Sequence, residues 1–122
     1  MRVAFTSTTG ESIDLHFGQA GHFFVWEVGP DSAAPVGRIE ALAVGDEEDR
    51  TTARASAIAG CAILYTQQIG GPAAAKLVSH RIHPMKTGEP VPVADAVARL
   101  QEVLRGHPPP WLRRLLVPVP ST

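Results

Sequence analysis

His16 stands in the run Asp14-Leu15-His16-Phe17-Gly18-Gln19-Ala20. A neutral imidazole is the commonest metal-binding side chain and takes iron readily. On a glycine-flanked loop it can offer a ring nitrogen to an incoming ligand. The same ring, packed under Phe17 and bonded to backbone, would be a structural histidine, and the residue types alone leave both readings open. A second stretch with chemical potential is Gln67-Gln68-Ile69-Gly70-Gly71-Pro72. Pro72 suits the first turn of a helix. A helix start offers unpaired N–H groups and a positive dipole end. The two glycines let a ligand come close to the backbone. In outline this is an anion site, although Gly-Gly-Pro also serves as a plain tight turn.

Other candidates are weaker. Cys61 follows a helix-stopping glycine and opens an apolar run, as a small buried thiol does. His80, His83 and Met85 resemble a soft-ligand cluster, with His83 and Met85 on one face of a strand. Lys76, Arg81 and Lys86 could line an anionic crevice. For a nuclease, only Glu11 and Asp14 are near enough to supply metal-binding carboxylates, fewer than that chemistry needs. There is no nucleophile elbow and no Walker loop. An enzyme is not expected.

The elements that must position these residues belong to a chain of 122 residues, 44% hydrophobic and 19% charged, with a net charge of −1. That composition fits one globular domain and excludes a charged disordered tail. Without a basic excess, nucleic acid is not an expected partner. One cysteine rules out an internal disulfide and any four-thiolate metal site. No apolar run approaches ~20 residues, so no membrane span is expected. The early polar turn after Phe5 does not read as a signal peptide, and a reducing cytoplasmic setting follows.

Local composition and alternation predict strands near 2–6, 22–28 and 34–44, a helix opened by the acids Asp46 to Asp49 and stopped by Gly60, and a strand at 61–65. A short helix over 73–79, a weak strand over 81–85 and an amphipathic helix from near Pro92 to Gly106 complete the order. This βββαβαβα succession implies an α/β fold. A meander followed by right-handed crossovers gives a five-stranded mixed sheet in the order 3-2-1-4-5, flanked by helices, as in the ribonuclease H-like motif. Strands one and four are then parallel neighbours, and their carboxyl ends form a switch-point crevice. The loop carrying His16 and the loop carrying Gly70 and Gly71 meet there. Residues 1–106 read as a single α/β domain that holds this crevice, and 107–122 as a Pro-rich C-terminal segment. In that segment Trp111 and the Leu115-Leu116 pair suggest a contact surface, a second copy of the chain being one candidate.

The run Asp14 to Ala20 resembles the DxHFGxA signature of the dinitrogenase iron–molybdenum cofactor biosynthesis family. Glu47-Glu48-Asp49-Arg50, Gly60 to Tyr65, Ile69-Gly70-Gly71 and Pro108-Pro109-Pro110-Trp111-Leu112 resemble its NifX branch. The resemblance spans nearly the whole chain. It implies a ribonuclease H-like fold and a carrier that transiently binds iron–sulfur precursors of nitrogenase cofactor, or the iron–molybdenum cofactor itself. The implied partners are nitrogenase scaffold and assembly proteins. An alternative is a regulatory or interaction protein of nitrogen fixation that works without bound cluster. The cluster-contacting histidine of the family falls on His16, with Phe17, Gly18, Gly70 and Gly71 around the cargo. Thr66 departs from the family pattern, in which a cysteine follows the tyrosine.

Overall fold

The computed structural model describes residues 1–41 and 44–116, with Leu115 and Leu116 described in backbone only. Strand β1 (Arg2–Phe5) is the central one. Its side chains alternate between faces: Val3 and Phe5 enter one apolar cluster, Ala4 the other. It pairs antiparallel with β3 (His22–Val28) and parallel with β5 (Ile63–Thr66). Strand β4 (Ala33–Glu40) flanks β3, and β6 (His83–Lys86) flanks β5. A bulge near Trp26 shifts the β3–β4 register. The result is the expected α/β architecture, a five-stranded mixed sheet between helices.

Numbered over all strands, the order is β4-β3-β1-β5-β6. It differs in detail from 3-2-1-4-5 because the sequence reading lacks two short strands, β2 (Ser12–Ile13) and β7 (Val91–Pro92). These pair with each other as a separate ribbon. The expected third strand also ends sooner, at Glu40 rather than Val44, and Leu42 and Ala43 lie outside the described residues.

Helices α1 (Glu47–Ala57) and α2 (Gly71–Ser79) cover one face of the sheet, where Ala55, Ile58 and Leu77 meet Ala4, Phe23 and Leu64. Helix α3 (Val93–Arg105) covers the other with Val93, Ala96, Val97 and Leu100. The α1 start is held by a reciprocal cap. The Asp46 carboxylate accepts from the Asp49 N–H at 2.8 Å, and the Asp46 N–H donates back to the Asp49 carboxylate at 3.4 Å. Just after α1, Gly60 takes φ +91°, the left-handed conformation expected at that stop. Helix α4 (Pro110–Leu116) lays Leu112, fully buried, into the α3-side core. Of the apolar surface expected there, the Leu115 and Leu116 side chains and residues 117–122 lie outside the described residues. No helix among the described residues is long and apolar enough to cross a membrane.

Candidate functional site

The chain leaves β1 through Thr6 and Ser7, both fully buried although polar. Polar groups this deep must be bonded. The Thr6 hydroxyl lies 2.9 Å from that of Thr66, at the end of β5. Both hydroxyls lie within bonding distance of the Leu15 carbonyl, at 2.8 and 3.2 Å, and Thr66 reaches the Gln68 carbonyl at 3.2 Å. Backbone bonds complete the clasp. Phe17 N–H donates to Gln68 at 2.9 Å and Gln67 N–H donates to Leu15 at 3.1 Å. The His16 loop and the β5–α2 loop are thus tied together at the carboxyl ends of two parallel strands, as the element order implies.

The loop itself is anchored on both sides of His16. Upstream, Ile13 sits fully buried in the ribbon, and the Asp14 carboxylate accepts from the Thr8 N–H at 2.8 Å. Asp14 therefore shapes a turn. Downstream, a 3₁₀ turn (Phe17–Gln19) buries Phe17, whose ring packs 6.0 Å from that of Phe23. The Gln19 side-chain oxygen accepts from the His16 N–H at 3.1 Å. His16 is left exposed between two fixed neighbours.

A cavity of about 730 Å³ opens beside this junction. Phe17, Gly18 and Gly70 contribute to its wall, with Lys76 from α2 and Asp46, Arg50 and Arg54 from α1. Among the five residues expected at the site, His16 and Gly71 do not line this cavity, although each adjoins one that does. Gly71 opens α2 and Gly70 is its N-cap, one residue earlier in each case than Pro72 suggests. Charge is graded along α1: Asp46, Glu47 and Glu48 lie at its start, Arg50 and Arg54 one and two turns on. Arg54 Nε donates to the Ala20 carbonyl at 2.9 Å, and its guanidinium stands 6.0 Å from the centre of the Phe17 ring. Burial, with Arg50 nearby, pulls the Arg54 pKa below its ordinary value.

The sequence reading missed Arg50 and Arg54 as site residues. Their signal was their spacing of four, which puts both on one helix face. It also overextended the crevice: Lys76 lines the cavity, whereas Arg81 and Lys86 line others. The soft-ligand cluster does not assemble. His83 is stacked on Trp111 with ring centres 3.8 Å apart, Met85 packs against the α3-side core, and His80 is exposed at the end of α2. Cys61 is buried at the amino end of β5. Burial pushes its thiol pKa up, with Arg2 pulling it back and Glu27 adding to the rise. No three His, Cys, Asp or Glu side chains among the described residues converge to hold a metal ion.

An α/β domain with a cavity at the carboxyl ends of two parallel strands defines the class of protein. The fold is shared with the crystal structure of PH0822 at a TM-score of 0.68 and 20% identity, over 84% of this chain and 91% of that one. Residues 1–103 match the family described as dinitrogenase iron-molybdenum cofactor, and the chain belongs to that family. It is 39% identical to the protein NifX of Sinorhizobium fredii (strain NBRC 101917 / NGR234), over 95% of this chain and 78% of that protein. It is 39% identical to NifX of Herbaspirillum seropedicae, over 95% and 82%. It is 36% identical to NifY of Azotobacter vinelandii, over 95% of this chain but only 48% of that longer protein. Family and relatives together support a role in nitrogenase cofactor biosynthesis.

Proposed function

We propose that this protein carries a preformed, anionic iron–sulfur precursor of the iron–molybdenum cofactor between assembly proteins, and that it catalyses no reaction. The observation that carries this reading is the clasp that holds the His16 loop against the Gly70 turn beside a cavity of about 730 Å³. His16 would ligate an iron of the cargo from the rim. Phe17, Gly18, Gly70 and Gly71 would bring backbone close to its sulfides. Arg50, Arg54 and Lys76 would offset its negative charge. Building a cluster takes several thiolates, whereas gripping a finished one through a single imidazole and a few donors permits release. Cargo binding falls within residues 1–106, on a sheet we read as the ribonuclease H-like motif. The setting would be the cytoplasm, where the lone buried thiol stays reduced.

The test is anaerobic gel filtration after mixing with isolated iron–sulfur precursor. Iron is expected to migrate with the protein, and His16→Ala to hold it about tenfold less tightly, as loss of one good ligand would do. A His16→Ala protein that carries as much iron removes His16 from the mechanism. If Arg54→Gln carries as much, the role given to the cations is removed too.

A further inference from the structure

At the other end of α2, nine residues and roughly 13 Å from Gly70 by helix rise, lies a cavity of different character. It is an open depression of about 500 Å³ between Val78, Arg81, Ile82, His83, Trp111 and Arg114. Arg81 has φ +62°, the one non-glycine residue with positive φ among those described. Its N–H donates to Val78 at 2.9 Å and that of Ile82 to Leu77 at 2.9 Å, the paired bonds of a Schellman stop. Glycine is the usual occupant of that position because a Cβ is strained there. The chain tolerates the strain and gains a guanidinium at the cavity wall. Strain kept where glycine would relieve it points toward use.

Arg114 supplies a second guanidinium from α4. No carboxylate lines the cavity, and among the described residues neither arginine is in an ion pair. Burial disfavours the charged form of His83, holding its pKa below the usual value. The rest of the wall is apolar: Ile82 is buried, and Val78, 61% exposed, sits beside it. Tryptophan and arginine around an apolar centre are the residues that dominate binding energy in protein interfaces.

We propose that this cavity docks an acidic segment of a partner protein, two carboxylates pairing with Arg81 and Arg114 around an aliphatic anchor seated on Val78 and Trp111. Charge complementarity selects the acidic partner. The aliphatic floor favours peptide over nucleic acid, and one face of Trp111, which a base would stack on, is already taken by His83. Docking at this end of α2 leaves the cavity beside Gly70 open. The inference is independent of the cargo, because its test uses none.

The probe is a blocked hexapeptide with two acidic residues on each side of a leucine–isoleucine pair. It is titrated into the full chain carrying Trp26→Phe, so that emission reports Trp111. A saturable shift with half-saturation below about 1 mM is expected, weakened about tenfold in Arg81→Gly and in Arg114→Gln. Arg81→Gly should keep or raise Tm, since glycine suits the left-handed position. The proposal is overturned if the peptide gives no shift, if its glutamine counterpart binds equally, or if both variants bind as the parent does. Tighter binding of a hexauridylate would assign the cavity to nucleic acid instead. If Arg81→Gly lowers Tm, Arg81 is there for the fold, and an undiminished affinity in Arg114→Gln then overturns the proposal. His16→Ala should titrate like the parent, so failure of the cargo reading would leave this result untouched.

Discussion

The two ends of the central strands are built from different materials. At the carboxyl ends, buried hydroxyls of Thr6 and Thr66 bind loop carbonyls and hold two loops beside an open cavity. At the amino ends, the terminal ammonium of Met1 donates to Val28 at 2.9 Å and pairs with Glu27 at 3.2 Å, and Cys61 fills the core beneath. Arg2 adds an exposed pair to Glu27 at 3.7 Å, of little energetic weight. One end is closed by backbone and apolar packing. The other spends buried polar groups to keep loops in place without filling the space between them. A loop that must meet a ligand cannot be fixed by covering it, so it is fixed from below.

The sharpest way to break this contrast is to remove the apolar anchor under the open end. Phe17→Ala takes away a buried ring that touches Phe23 and Arg54. It should cost about 3–5 kcal/mol. Cys61→Ala removes one buried sulfur from the same core at the closed end and should cost about 1 kcal/mol. Urea unfolding of both variants compares them directly. Equal losses would mean that Phe17 is a loop ornament and that the His16 turn is held by something else.

A finer cut tests the clasp. Thr66→Val keeps the shape of the side chain but removes the hydroxyl that serves Leu15 and Gln68. Those carbonyls keep their backbone donors, so the loss should be about 1–2 kcal/mol. Hydrogen exchange localises it. The amides of Phe17 and Gln67 should lose protection, whereas that of Ala62, bonded to Arg2 at the other end, should not. Uniform loss along β5 would show that Thr66 supports the strand rather than the loops.

Much of this was legible in the chain. The β-rich run from Arg2 to Thr6, the acids opening α1, Gly60, and the spacing of Val93, Val97, Leu100 and Leu104 mark their elements because each signal is local. The convergence of the His16 and Gly70 loops followed from strand order. The β2–β7 ribbon did not, since two-residue strands have no period to read and are fixed by pairing across nearly eighty residues. The clasp was hidden for the same reason: threonines at strand ends look ordinary until the parallel pairing of β1 and β5 sets Thr6 against Thr66. Arg54 gave no sign of a site role because its partners, Ala20 and Phe17, lie more than thirty positions away.

The smallest expected effect lies on the amino-end side, at His83, the first residue of β6. Burial lowers its pKa from the ordinary 6.5 or so. The unfolded chain then takes up this proton at a higher pH than the native protein does. The contribution of the neutral ring is therefore complete above about pH 6.5 and is lost as pH falls toward the lower native value. Because the ring is only partly buried, the cost is modest, a fall in Tm of about 1–3 °C between pH 7.5 and 5.5. His83→Phe keeps an aromatic ring against Trp111 and removes the proton, so its Tm should fall less over that interval. His16, His22, His80 and His107 are common to both proteins and cancel in the difference. Identical pH profiles would mean that the imidazole is as easily protonated in the folded chain as in the unfolded one. The hold on α4 would then rest on Leu112 in the core beneath it, not on the stacked pair at the surface.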